Sequence, residues 1–405
     1  MIKQKYIHPF PARMAPEIAI QALEDLKKGD VILDPMVGSG TVLHQAALNG
    51  FSPVGFDLDP LAVLMSKVST ANINVTKLSE LYDAIWNDIK CIRLNQIVLP
   101  WIDEDLETAD FIKFWFARKQ INDLRKVAYV LYKYKLHYPR TVEIDALRIA
   151  LSRIIITKKV GASLAWDISH SRPHKMRESN DYDVIEGFAK SVATVKKYLE
   201  QQSNIEIKGE IKRGDARNLS SIPNESIDKV ITSPPYLNAI DYMRGNKFSL
   251  VWLGFSIPGL RDIRSNSIGA EKKLDADQNQ ERIDKIFNNI FQDAPLLSKQ
   301  QSMIKRYIND SIFLMAEIAR VLKRGKKATL VVGNSNLSGV YIENSEIFNQ
   351  AAILVGLNLV DSRKREIPLN KRYLPILTDD INALNKRMKH EIIMTFSKDG
   401  AFATS

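Results

Sequence analysis

The chain has 405 residues, 45% of them apolar, enough for one large core or two smaller ones, and a formal net charge of +10. Its single cysteine, Cys91, excludes an internal disulfide and a thiolate metal cluster, and points to a reducing, cytoplasmic compartment. No apolar run approaches the roughly 18 residues that span a bilayer, and the opening MIKQKYIHPFPARM lacks the apolar core of a signal peptide, so no membrane partner is expected.

Two βα units come first. In DVILDPMVGSGTVLHQAALNG a strand from Val31 to Leu33 runs into a glycine turn, then a helix ending near Gly50. In SPVGFDLDPLAVLMSKVST a strand from Pro53 to Phe56 leads to Asp57 and a helix opened by Pro60, a residue tolerated in a first turn. This alternation predicts a parallel sheet with crossover helices. From about Val75 to Ser203 the apolar spacing turns helical, as in FIKFWFARKQINDLRKVAYVLYKY. Residues 76–203 are therefore expected to form a mainly helical insertion into a domain made of 1–75 and 204–405. Between Lys113 and Arg177, inside this insertion, fifteen Lys or Arg face four acids, so this segment alone matches the whole positive excess. A solvated helical face accounts for such a run, and so does a surface for polyanions, where cations displace the counterions of phosphates.

Strands resume with IEIKGEIKRGDARNL, ending near Arg213, and with SIDKVITSPPY. After a polar stretch from Phe255 to Ser302 come a helix (YINDSIFLMAEIARVLKRG), a strand (KATLVVGNS), a helix (NSEIFNQAAILVG), a strand (LNLVDSRKRE) and a last alternating strand (HEIIMTFSK). In an open parallel sheet, ligands bind beyond the carboxyl ends of the strands. Two unusual turns stand at such ends, Asp34 to Thr41 and Ser233 to Tyr236. If their strands are neighbours, the turns face one cleft.

The glycines of Asp34-Pro35-Met36-Val37-Gly38-Ser39-Gly40-Thr41 let a ligand approach the backbone, and the helix behind offers free N–H groups. The turn is neither a Walker loop nor a full dinucleotide fingerprint. Asp57, ending the next strand, is placed to accept hydrogen bonds from ribose hydroxyls, a role that Asp59 shares or replaces. Asp215 with Ala216, after the third strand, is placed to hold an adenine exocyclic amine. Each acid alone reads sooner as a helix cap or turn residue than as a ligand. Three of them beside a glycine turn favour a nucleoside-containing cofactor.

DPMVGSGT together with TSPPY resembles the signature pair of S-adenosylmethionine-dependent amino-methyltransferases acting on DNA. The resemblance implies an α/β class I methyltransferase fold, a Rossmann-like sheet of seven mostly parallel strands with the last one antiparallel. It implies S-adenosylmethionine as cofactor, held by Asp34, Pro35, Gly38, Ser39, Gly40 and Thr41. HPFPARMAPEIA, residues 8–19, resembles the segment that precedes the cofactor loop in these enzymes. It implies a place for His8, Phe10 and Arg13 around the methionine part, although His8 also reads as a structural residue. The order differs from the common arrangement in which the catalytic loop comes first.

The chemistry of Ser233-Pro234-Pro235-Tyr236 agrees. The exocyclic amine of cytosine or adenine is a poor nucleophile because its lone pair is delocalised into the ring. Acceptors at Ser233 Oγ and the Pro234 carbonyl favour a pyramidal nitrogen, while the prolines stiffen the turn and remove competing donors. Tyr236 is expected to stack on a base flipped out of the duplex. Asn238, Asp241 and Tyr242 extend the loop toward the base, and Arg372 and Tyr373 are weaker candidates there by resemblance. Cys91 lies far from both motifs, which counts against 5-methylcytosine chemistry, and no metal is needed. The histidines of DISHSRPHKMR, 167–177, are read as part of a phosphate-contacting loop rather than a zinc site.

The expected activity is methylation of double-stranded DNA. Serine at the first position of the tetrapeptide leans by family association to N4 of cytosine over N6 of adenine. The expected setting is a restriction-modification system, its endonuclease acting separately, or a solitary methylase. A tRNA or rRNA amino-methyltransferase and a non-catalytic nucleic-acid-binding scaffold on the same fold are the rivals.

Overall fold

A computed structural model describes residues 6–10, 13–157, 160–166, 174–175, 177–202, 209–237, 242–269, 279–292, 294–337, 340–368 and 389–399. The chain divides into two compact units. One is helical (Met1–Pro11, Asp59–Ile207 and Asp241–Ile263), and the other carries the sheet (Ala12–Leu58, Lys208–Ile240 and Arg264–Ser405).

Seven strands form the main sheet of this unit: β1 (Val31–Asp34), β2 (Ser52–Asp57), β3 (Glu210–Arg213), β4 (Ile227–Thr232), β5 (Leu322–Val332), β6 (Leu357–Glu366) and β7 (His390–Lys398). Their order is β6-β7-β5-β4-β1-β2-β3. Six point the same way, five of them paired with one another in parallel, with Val31 opposite Ser52 and Leu33 opposite Val230. The last strand, β7, is antiparallel to both β5 and β6, as the resemblance implies. All six residues of the central β4 are buried, as a strand covered on both faces requires. Its charged Asp228 is satisfied by the Val31 N–H at 3.1 Å and the Lys323 ammonium at 2.9 Å. Helices α1 (Pro16–Leu23) and α2 (Thr41–Leu48) cover this sheet around Ile32, Val42 and Ile231. Its larger core joins Leu33, Val230 and Leu330 to apolar faces of later helices, among them Tyr307, Met315 and Phe348.

The helical unit reaches beyond the 76–203 expected from spacing. Helices α3 (Pro60–Ser69), α4 (Val75–Cys91), α5 (Leu106–Trp115), α6 (Arg118–His137), α7 (Val142–Ile155), α8 (Val184–Glu200) and α9 (Tyr242–Leu250) share one core. Leu61, Leu64 and Met65 of α3, and Phe248 and Trp252 in the last segment of this unit, are buried in it. Their apolar faces need partners that α4 to α8 supply, so α3 and 241–263 go with the helices.

Part of the positive excess in this unit is used internally. Arg125 pairs with Asp103 at 2.7 Å, Lys135 and Arg148 share the buried Asp145, and Arg153 donates to the Ile7 carbonyl. Arg118, Lys119, Lys133 and Arg140 remain exposed to solvent. Among the described residues no helix is long and apolar enough to cross a membrane.

Candidate functional site

β1 and β4 are neighbours in parallel, so the glycine turn and the diproline turn leave the sheet side by side at the same end. A side-chain hydrogen bond joins their roots: Thr232 Oγ1 donates to Asp34 Oδ1 at 2.7 Å. Asp34 also accepts from the Met36 N–H at 3.1 Å. Burial outweighs both bonds and pushes its carboxyl up to about 7.

In the glycine turn the backbone is left-handed at Gly38 (φ 48°) and Gly40 (φ 77°), a conformation that costs any residue with a Cβ about 1–2 kcal/mol. The turn is held by its own backbone: Val37 N–H donates to the Phe56 carbonyl at 2.9 Å, and Gly40 N–H to the Val37 carbonyl at 2.7 Å. Asp57, at the end of β2, takes the Gly38 N–H at 2.9 Å. The Ser39 and Thr41 hydroxyls are 3.0 Å apart. Pro35 is buried beside Asp34. Among the described residues no protein acceptor meets the N–H groups of Ser39, Thr41 and Val42, the first turn of α2. Orphan donors at a helix N-terminus suit an anionic or hydroxyl-bearing ligand.

The diproline turn presents acceptors instead. Ser233 Oγ donates to the Val331 carbonyl at 3.0 Å, so toward the Tyr236 hydroxyl and any further partner it acts as an acceptor. The Pro235 carbonyl accepts from the Tyr307 hydroxyl at 2.9 Å. Nothing among the described residues donates to the Pro234 carbonyl. Tyr236 packs its ring against the sheet-unit core, and its hydroxyl bonds with Ser233 and the Gly333 backbone. Burial raises that hydroxyl to about 12.

The remaining candidates are distributed. Asp215 is bound by Arg217, whose Nε and Nη2 lie 3.0 and 2.7 Å from its two oxygens, with Arg217 N–H adding a third bond at 2.9 Å. Both carboxylate oxygens are thus engaged where an adenine amine was expected, while Ala216 beside it is buried. Asp59 is the N-cap of α3, accepting from Leu61 N–H at 2.8 Å, and Asn246 donates to its other oxygen. It belongs to the helical unit and does a cap's work, where the sequence offered it as a partner of Asp57. His8 and Phe10 also belong to that unit, and Arg13 to the sheet unit. His8 Nε2 meets Ser152 Oγ at 2.8 Å, and the Phe10 ring stacks on Tyr242 with centroids 5.3 Å apart. Asn238, Asp241, Arg372 and Tyr373 lie outside the described residues. Cys91 is exposed at the end of α4. Among the described residues no three His, Cys, Asp or Glu are grouped to hold a metal.

Val331, Gly333 and Tyr307 are site residues that the sequence did not mark, and Thr232 stood in the TSPPY motif without a role. Thr232 directly precedes the tetrapeptide and was within reach of a motif reading. Tyr307, 72 residues from Pro235, sits in an ordinary amphipathic helix and gives no local signal.

No family model matches the chain. It is 24% identical to the type II methyltransferase M.BsoBI of Geobacillus stearothermophilus, over 78% of this chain and 71% of that protein. It is 23% identical to the type II methyltransferase M.MvaI of Kocuria varians, over 96% of this chain and 88% of that one. The chain is similar to type II methyltransferases over most of its length. A shorter stretch, 22% of this chain and 26% of the relative, is 32% identical to a tRNA (guanine(10)-N2)-dimethyltransferase of Methanothermobacter thermautotrophicus. The strand order places all the central residues of the site on one sheet, at the carboxyl ends of β1, β2 and β4.

Proposed function

We propose that this chain is an S-adenosylmethionine-dependent DNA methyltransferase of a restriction-modification system, acting on the exocyclic amine of a flipped base, with N4 of cytosine as the target. The observation that carries the reading is the Asp34–Thr232 hydrogen bond, because it fixes a donor-rich turn and an acceptor-rich turn to each other at one sheet end. The similarity to type II methyltransferases over most of the chain supports the same reading.

The residues suit the cofactor. The N–H groups of Ser39, Thr41 and Val42 offer donors beside two glycines that add no side-chain crowding, and Asp57 adds a carboxylate that its bond to Gly38 holds in place. When bound, S-adenosylmethionine supplies a methyl group on an electrophilic sulfonium. The chain's own work is then positional. Ser233 Oγ and the Pro234 carbonyl accept the amine hydrogens and favour a pyramidal nitrogen with an available lone pair. Two prolines keep these acceptors fixed as positive charge develops on the nitrogen, and fixed dipoles need no reorganisation during the transfer. Tyr236 offers its ring to the extruded base. The exposed cations of α6 and the following loop serve the phosphates of the duplex, which makes the helical unit the candidate for target recognition. The preference for cytosine N4 rests on serine at position 233.

Methyl transfer from labelled cofactor to unmodified duplex DNA, followed by nucleoside analysis, tests this directly. N4-methylcytosine is expected, N6-methyladenine would move the target base, and no labelled nucleoside would reject the activity on DNA. The second reading is an RNA substrate, favoured by the match to a tRNA dimethyltransferase. Competition between duplex DNA and structured RNA separates the two.

A further inference from the structure

We infer that Tyr307 is a positioning residue for the acceptor turn, fixing which of the two proline carbonyls faces the substrate amine. The inference rests on the methyltransferase reading above and adds a residue to it.

The turn has two carbonyls in succession and no N–H on either proline. Such a segment cannot lock itself by backbone bonds, because both prolines lack the donor. The hydroxyl of Tyr307, on the long helix Ser298–Val321, supplies the missing donor to Pro235. With Pro235 committed, the Pro234 carbonyl is the one left to accept from a substrate. Tyr307 is fully buried, so its hydroxyl has no water to exchange with, and its burial beside Tyr236 and Asp310 keeps it protonated well above the ordinary phenol range.

The ring is held from two sides. Phe348 meets it edge-on with centroids 6.0 Å apart. Gly269 covers the ring so closely that a Cβ there would lie 3.3 Å from it, and its φ of 74° also favours glycine. One turn along the same helix, the buried Asp310 accepts from Gly269 N–H at 2.7 Å and from Arg217 Nη1 at 2.6 Å. Arg217 also donates to the Asn266 carbonyl. The Arg217–Asp310 pair therefore fixes both the helix that carries Tyr307 and the segment that lies over it. Asp215, bound to the same guanidinium, acquires a role in this prop.

The test compares Tyr307→Phe with Ile318→Val, a buried change on the same helix remote from the turn, in the full-length chain on unmodified DNA. Tyr307→Phe is expected to lower kcat about two- to tenfold, the worth of one neutral hydrogen bond. KM for DNA and the cofactor dissociation constant should stay within about twofold. Ile318→Val should keep the wild-type kcat at a comparable shift in melting temperature. An unchanged kcat in Tyr307→Phe, or an equal fall in Ile318→Val, overturns the inference. Should Tyr307→Phe fail to fold, Gly269→Ala, which crowds the ring and keeps the hydroxyl, must lower kcat in the same direction, and an unaltered kcat overturns the inference. A wild-type chain that transfers no methyl group overturns the underlying reading, and that arm is read before any variant.

Discussion

The two turns at the site leave neighbouring parallel strands, yet they prepare the backbone in opposite ways. After β1, glycines at positive φ bend the chain tightly and leave N–H groups unmet. After β4, prolines remove the N–H groups and leave carbonyls. One turn is a set of donors, suited to a carboxylate or hydroxyls. The other is a set of acceptors, suited to an amine. Chemistry that joins a charged cofactor to a weakly nucleophilic nitrogen needs both, and the fold places them on adjacent strands so that one side-chain bond holds them in step.

Experiments can break this division. The largest effect is expected at the junction, from Asp34→Asn. The folded carboxyl titrates near 7 against an ordinary value of 3.8. Between those values the folded chain holds a proton that the unfolded chain has lost, so the wild type loses stability as pH rises through that window. The contribution is at most about 4 kcal/mol. Asparagine keeps the acceptor for Thr232 without the titration, so denaturation midpoints measured from pH 4 to 8 should fall less with pH in the variant. A parallel pair of pH profiles would remove Asp34 from the account. Next, Ser233→Ala should lower kcat roughly 100-fold, the scale for a fixed dipole at a reacting centre, with cofactor affinity nearly unchanged. Asp57→Ala should do the reverse, weakening cofactor binding by about tenfold or more in a calorimetric titration while kcat at saturation stays close to wild type. Equal effects of these two substitutions on kcat and affinity would erase the donor–acceptor distinction. The smallest effect belongs to Asp59→Ala, which should cost about 1 kcal/mol of stability as a lost N-cap. Cofactor affinity should stay unaltered, and a loss there would return Asp59 to the cofactor side.

Local pattern carried much of this. The strand ending at Asp34, the strand ending at Asp57 and the Ser-Pro-Pro-Tyr turn were legible because apolar runs stop at residues with special backbone demands. Asp59 was readable two ways, since an acid before Pro60 marks a helix cap as well as a ligand. In the structure it caps α3. What the sequence could not give were contacts between distant segments. Nothing near Asp215 announces that Arg217 will reach Asp310, 93 residues on, or that Tyr307 will hold Pro235. The membership of α3 and of 241–263 was hidden for the same reason: an amphipathic helix states that one face needs covering, and leaves open which core will cover it.

The two units are woven from alternating stretches of chain, and this bears on how the protein is made. A nascent polypeptide halted at residue 240 would lack Phe248 and Trp252 for the helical core and three of the seven sheet strands. Neither half matures as a contiguous piece behind the ribosome, and excising residues 76–203 would strip partners from Leu61, Leu64 and Met65. Recombinant dissection should follow the weave, keeping the whole chain and probing each half by substitution.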